Sequence, residues 1–249
     1  MDNVTQYGQM DFNLPHDVVS LPSQGKFYRN KKSSLKVGYL TAADENILLG
    51  QTTNNDIIYQ LLRSKIYEPD FNVDQMLDCD MEAILIYLRN TSFGSEYTLI
   101  LRDPKTLLEF EATVNLDELN VKQPIMEPNS EGLFEFTLPV SGDSVKCKLL
   151  NYGDQKQIRE FENAYPKGMI APVVTKRLEM QVVSVNGNDD KGEIARWIQV
   201  LPIADSKHIR NTLKDCEPRL DLERVFIAPS GEKVTSRIAF GAEFFRPFF

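Results

Sequence analysis

Two histidines, three cysteines and a few paired carboxylates are the side chains in this sequence best suited to acid–base, covalent or metal chemistry, and their spacing argues against each use. His16 lies in a proline-containing stretch and His208 far away in a helical pattern, so neither a Ser-His-Asp or Cys-His relay nor a metal cluster has its material. Cys79, Cys147 and Cys216 are odd in number, form no Cys-x-x-Cys pair and sit among apolar or helix-forming neighbours, as reduced, buried thiols do. Asp78 with Asp80 and Asp189 with Asp190 are close pairs, but carboxylates at such spacing cap helices and loops rather than flank a glycosidic bond. Neither G-x-G-x-x-G nor G-x-x-x-x-G-K-S/T occurs, which leaves nucleotide phosphates without a cradle. The expectation is a protein with no catalytic residue, no metal, no cofactor and no small-molecule substrate.

What stands out instead is aromatic. In Leu21-Pro22-Ser23-Gln24-Gly25-Lys26-Phe27-Tyr28 a proline fixes one φ, a glycine permits positive φ, and two aromatics follow at once, a segment built to turn and then anchor. The sequence ends Phe244-Phe245-Arg246-Pro247-Phe248-Phe249, with four phenylalanines in six residues. That much aromatic area needs cover, either from the protein's own core or from a partner. Leu21, Pro22, Gly25, Lys26, Phe27, Tyr28, Phe244, Phe245, Arg246, Phe248 and Phe249 are therefore the candidate partner-binding residues, with an internal staple as the competing reading at both ends.

The elements that would position these segments follow from composition and periodicity. At 249 residues, 42% hydrophobic and 26% charged, the chain is an ordinary globular one, long enough for two coupled lobes. Lys and Arg total 28 against 36 Asp and Glu, and a net charge of -8 repels phosphate, so nucleic acid is not an expected partner. The one basic cluster, Arg29 to Lys32 with Lys36, reads as a solvated turn. Apolar runs such as Ile84 to Leu88 fall short of the roughly 20 residues that span a bilayer, and Met1 to Thr5 show no secretory signal; the expected setting is a cytoplasm, with no membrane partner.

Residues 1–33 lack periodicity and read as an extended arm. Region 34–166 carries a short strand at Leu35 to Leu40, a helix opened by Thr41 and helical spacing from Asn55 to Thr91. Asp78 or Asp80 is the expected cap of the second bundle helix, and Gly94 its end. Two hairpins follow, turning at Asp103 to Thr106 and at Ser141 to Ser144, and then a helix from Asp154 to Tyr165. Pro166-Lys167-Gly168 marks the expected lobe boundary. In region 167–249 the stretch Leu178 to Val185 fits helix or strand, Asp205 is the expected cap of a helix to Asp215, and a last hairpin turns at Ala228-Pro229-Ser230-Gly231. The fold class is α+β: a small helical bundle with antiparallel hairpins and a second α+β lobe.

Taken in order, the Leu-Pro-Ser-x-Gly-x-Phe-Tyr element, the bundle, the Phe93-Gly94-x-x-Tyr97 step, the Leu201-Pro202 to Asp205 step and the late Phe-Phe-Arg-Pro resemble the T-even phage baseplate hub family from about residue 20 onward, with Gly25 to Tyr28 the most specific part. The resemblance implies a hub assembly protein made in the infected host cytoplasm, whose partners are other baseplate hub proteins. It implies either a transient assembly factor, chaperone-like, or a permanent structural subunit of the hub in the virion. It also implies that the last lobe ends in a zinc-ribbon-like hairpin. Many relatives carry cysteine pairs in the two hairpin turns; here these read Asp103-Pro104-Lys105-Thr106 and Ala228-Pro229-Ser230-Gly231, so a metal role is not carried over and the turns are expected to hold by backbone chemistry alone.

Overall fold

The computed structural model describes residues 15–48 and 54–245, and over them the protein is α+β, with seven helices and several small antiparallel sheets. The segment expected to be an extended arm folds back on itself where it is described: β1 (His16–Ser20) pairs with β2 (Ser34–Gly38), His16 opposite Gly38. Alternation in β2 is the cause, for Leu35 and Val37 are wholly buried while Lys36 between them is exposed. Helix α1 (Ala42–Leu48) opens at Thr41, whose N–H and hydroxyl donate to Asp44 at 2.6 and 2.7 Å. Asp44 also pairs with Lys65, the last residue of α2 (Asn54–Lys65), and both side chains are nearly enclosed. Burial alone would raise the Asp44 pKa, but the Lys65 and Thr41 donors hold it below the usual carboxylate range.

Helix α3 (Asp78–Phe93) supplies the longest buried stripe, and it differs from expectation at its start. Neither Asp78 nor Asp80 caps it: Leu77 occupies the cap position without a side-chain bond, and Asp80 lies fully buried inside the first turn. Gly94 ends it as predicted, at φ 83° with its N–H on Asn90 O. The first hairpin is β3 (Glu96–Arg102) with β4 (Glu109–Asn115), followed by a two-residue β5 (Val121–Lys122). The second is β6 (Phe134–Thr137) with β7 (Ser144–Cys147). Helix α4 (Tyr152–Asn163) starts with a reciprocal capping box between Asn151 and Asp154. The ambiguous stretch near Leu178 divides: α5 (Val173–Gln181) runs into β8 (Val182–Val185), which adds a third strand alongside β7. Then come α6 (Lys191–Val200) and α7 (Ile203–Cys216). Pro202, not Asp205, stands at the cap of α7, and Asp205 serves another turn described below. Last, β9 (Arg219–Leu220) pairs with β5, and β10 (Glu223–Ile227) with β11 (Lys233–Arg237).

Two clusters of buried side chains result. The first joins Leu21, Tyr28, β2, α2 and the body of α3 to Leu220, Leu222, Ile238, Phe244 and Phe245, so the chain's last hairpin returns to the core built by its first elements. Leu35, Leu61, Leu62, Ile84 and Leu88 are wholly enclosed here, each contributing about 1.5–3 kcal/mol over an exposed position. The second collects Phe134, Val145, Cys147, Leu178, Val182, Ile198, Ile209 and Leu213 from β6 to α7. Leu77 and Cys79, at the start of α3, belong to this second cluster, which makes that start the joint between the two. The boundary expected at Pro166–Gly168 falls between α4 and α5, two helices that pack on one another.

Candidate functional site

The Leu21–Tyr28 segment is a chain of tight turns seated on that joint. Gln24 N–H donates to Leu21 O, Lys26 N–H to Ser23 O and Tyr28 N–H to Gly25 O, at 2.9 to 3.2 Å. Gln24 and Gly25 take φ of 54° and 72°, and a Cβ on Gly25 would stand 2.6 Å from both Lys31 O and Lys32 O. Only glycine lets the returning strand approach so closely. The turns present two donors to one buried carboxylate: Ser23 N–H to Asp80 Oδ1 at 2.8 Å, and the Tyr28 hydroxyl to Asp80 Oδ2. The same hydroxyl accepts the Leu77 N–H at 3.1 Å, and the Tyr28 ring lies edge-on to Phe71. No cation pairs with Asp80 among the described residues, and burial raises its pKa despite these donors.

The flanks of the same segment reach the second cluster. The Phe27 ring centroid is 5.8 Å from that of Phe134, Lys26 pairs with Glu127 at 2.7 Å, and Lys31 Nζ donates to Ser130 O at 2.8 Å. Gly132 tightens the contact, since a Cβ there would be 3.2 Å from Phe27 Cα. The segment therefore staples the two clusters together, Leu21 and Tyr28 in one and Phe27 against the other.

At the other end, Phe244 and Phe245 are 0% and 1% exposed. Phe244 meets Phe240, Tyr97 and Phe245 at 4.8 to 5.2 Å, all at steep angles. Beneath them Arg89, itself buried, donates to Gly94 O and Glu96 O and lies 5.0 Å from the Tyr97 ring centroid and 5.7 Å from that of Phe244. The Phe93-Gly94-x-x-Tyr97 step and the terminal aromatics are thus two halves of one packing unit. Leu21, Tyr28, Phe244 and Phe245, candidates for partner contact, are spent on the protein's own interior; Pro22 and Gly25 are buried too, and only Lys26 and Phe27 keep partial exposure. Arg246, Phe248 and Phe249 lie outside the described residues.

The two turns expected to hold by backbone chemistry alone are instead joined by a side chain. Asp103, 1% exposed, accepts Lys105 and Thr106 N–H groups in its own turn and then the N–H and hydroxyl of Ser230 in the other, at 3.0 and 2.7 Å. Burial opposes ionisation, yet Ser230 and the amides hold its pKa down to about 2. Asp205, wholly buried, does the same for the β6–β7 turn, taking the Val140 and Ser141 N–H groups at 2.9 Å each. Asp80, Asp103 and Asp205 are one device used three times, a carboxylate clasping a remote turn. In the sequence Asp80 and Asp205 look like local caps and Asp103 like an ordinary turn residue, so none of the three clasps shows there, nor does the role of Arg89. A signal existed for Arg89, which falls on the apolar stripe of α3 four residues after Leu85.

The arrangement is poor in reactive groups. Cys79, Cys147 and Cys216 are buried and unpaired, and burial pushes the Cys147 thiol up to about 12, away from the thiolate that nucleophilic chemistry uses. His16 lies edge-on to Tyr67 and His208 to Phe136. Among the described residues no group of His, Cys, Asp or Glu could hold a metal ion, and no helix is long and apolar enough to cross a membrane. Large apolar side chains do stand in solvent on the two clasped hairpins: Ile100, Leu107 and Leu108 on one, Val225 and Ile227 on the other.

The family model described as T4 bacteriophage base plate protein matches residues 15–245, from the first strand to Phe245, and the chain belongs to that family. No curated protein and no solved structure matches it.

Proposed function

We propose that this base plate protein is a non-enzymatic assembly factor of the baseplate hub, which holds other hub proteins in association-competent form in the host cytoplasm and makes or breaks no covalent bond. The observation that carries this reading is the family match across both buried clusters. Further support comes from the clasped hairpins, whose turns are locked by Asp103 and whose outer faces leave Ile100, Leu108, Val225 and Ile227 uncovered, as a surface held ready for a partner would. The Leu21–Tyr28 segment then serves assembly indirectly, by fixing the two clusters into one presentable body, with Lys26 and Phe27 at its accessible rim.

Two measurements test it. Co-purification of tagged protein with hub subunits should succeed, and Ile100→Asp with Leu108→Asp should cut recovery about tenfold or more, the loss expected when apolar anchors leave an interface. Undiminished recovery removes the hairpins from the interface, and failure of the unaltered protein to recover any hub subunit defeats the reading. Quantitative mass spectrometry of purified virions decides the protein's fate: absence marks a transient factor, whereas stoichiometric presence makes it a permanent structural subunit of the hub instead.

A further inference from the structure

A cleft of about 320 Å³ opens beside the joint of the two clusters, between the start of α3, helices α4, α5 and α7, and the Leu149–Leu150 segment. Its lining sets three cations against two carboxylates, Asp78 and Glu217, a small positive excess in a protein that is negative overall. Arg177 from α5 and Arg210 and Lys214 from α7 converge on it in a chain of net charge -8. Among the described residues Arg177 and Lys214 make no hydrogen bond and no contact ion pair, although Arg177 attracts Glu217 through space, and Arg210 makes only a 3.3 Å bond from Nε to Ser206 O in its own helix. Cations of this kind are ordinarily solvated on an open face; here they are gathered around a concavity.

Acceptors line the same cleft. Gln181 is 8% exposed, and its Oε1 is buried with no hydrogen-bond partner. A buried carbonyl oxygen without a donor is an uncommon and costly feature. Asp78, held by Gln155 Nε2 at 2.7 Å, and Glu217 line it as well, both half-buried.

We infer that this cleft receives a short acidic peptide segment of a partner protein, whose carboxylates meet Arg177, Arg210 and Lys214 and one of whose N–H groups is donated to Gln181 Oε1. A peptide combines anionic side chains with amide donors. A phosphate-rich ligand brings the anions alone and would leave Gln181 unpaired, whereas Asp78 and Glu217 oppose either ligand alike. An extended polyanion is further disfavoured by the repulsion of the whole surface, whereas a short stretch sees mainly the local cations. The volume is at the small end of binding clefts, about 300–1,000 Å³, and suits a few residues rather than a domain.

That the segment comes from a hub protein rests on the function proposed above, but the cleft can be tested apart from it. Fluorescein-labelled hexaglutamate titrated against the full chain at pH 7 and low salt should give saturable anisotropy. Arg177→Glu with Lys214→Glu should weaken it by about tenfold or more, and the milder Arg177→Gln with Lys214→Gln should fall between, as charge-assisted contacts are removed stepwise. Inorganic phosphate at matched ionic strength should not compete. Absence of saturation, affinity unchanged in the glutamine pair, or displacement by phosphate as effective as by unlabelled hexaglutamate would each overturn the assignment. If the reversed pair does not fold, the glutamine pair alone decides. Hub co-purification run in parallel separates the two ideas: intact recovery without peptide binding rejects the cleft, and peptide binding without recovery rejects the assembly role.

Discussion

Replacing Tyr28 with phenylalanine removes one oxygen and leaves the ring on Phe71. Two groups lose their partner, the Leu77 N–H 3.1 Å away and Asp80 Oδ2. Leu77, Tyr28 and Asp80 are 3%, 3% and 0% exposed, so water has no path to replace the hydroxyl. A hydrogen bond to a carboxylate and an orphaned buried amide each weigh about 1–3 kcal/mol, and because one atom serves both, the combined loss is expected near 3 kcal/mol. Against a total stability of about 5–15 kcal/mol that is a large fraction. Urea unfolding at pH 7, followed by circular dichroism, measures it. The same measurement on Asp80→Asn and on the double variant closes a cycle, whose coupling should be about 1–2 kcal/mol if the two side chains act together. A loss below about 0.5 kcal/mol for Tyr28→Phe, or simple additivity in the cycle, would refute the clasp as an energetic unit.

Gly25→Ala should cost about 2 kcal/mol or more, because left-handed φ and a 2.6 Å approach to two carbonyl oxygens act together; an unfolding midpoint equal to the parent's would contradict that. Glu82 and Glu217 are pushed up to about 7, by burial first and then by neighbouring carboxylates that include Asp78, only partly offset by Arg237 near Glu82 and by Arg219 and Arg177 near Glu217. Their folded-state values lie above the ordinary 4.5, so their contribution is fully present below pH 4.5 and is lost as pH rises through 7, about 3 kcal/mol for each group taken alone. Stability should therefore fall between pH 5 and 8, and Glu82→Gln with Glu217→Gln should flatten that decline; an unchanged slope would count against it. Asp103→Ala should release the two hairpin turns from each other, read as faster hydrogen exchange at the Ser230 amide with the α2 and α3 amides unchanged; uniform protection throughout would show that the clasp carries nothing.

Elements with strong local pattern were legible in the sequence. The β3–β4 and β10–β11 hairpins alternate at period two around turn residues, α2 and α3 repeat at helical spacing, and Gly94 stops α3 where a glycine should. The pairing of distant segments was not legible, for a physical reason. An aspartate just inside a helix looks like a cap whatever it touches, and Asp80 and Asp205 are spent instead on turns 57 and 64 to 65 residues away. The aromatic ends posed the same difficulty. Phenylalanine and tyrosine bury area equally well in a partner or at home, and only the position of Arg89 and Tyr97 beneath Phe244 makes home the answer for that residue. The cleft is harder still, since its lining comes from α3, α4, α5 and α7, none of which carries a motif.

The three clasps also set an order of events during synthesis. Asp80 finds Ser23 already made when it leaves the ribosome, and that joint can close as soon as α3 has emerged. Asp103 must wait for Ser230, 127 residues later, and Asp205 arrives 64 to 65 residues after the turn it secures. During that interval the Asp103 turn keeps its own amide donors but lacks the N–H and hydroxyl of Ser230 that complete the clasp. Slowing translation between codons 103 and 230 should therefore lengthen the time for which the Asp103 turn of the nascent chain stays unclasped and open to exchange, whereas the same pause before codon 80 should not.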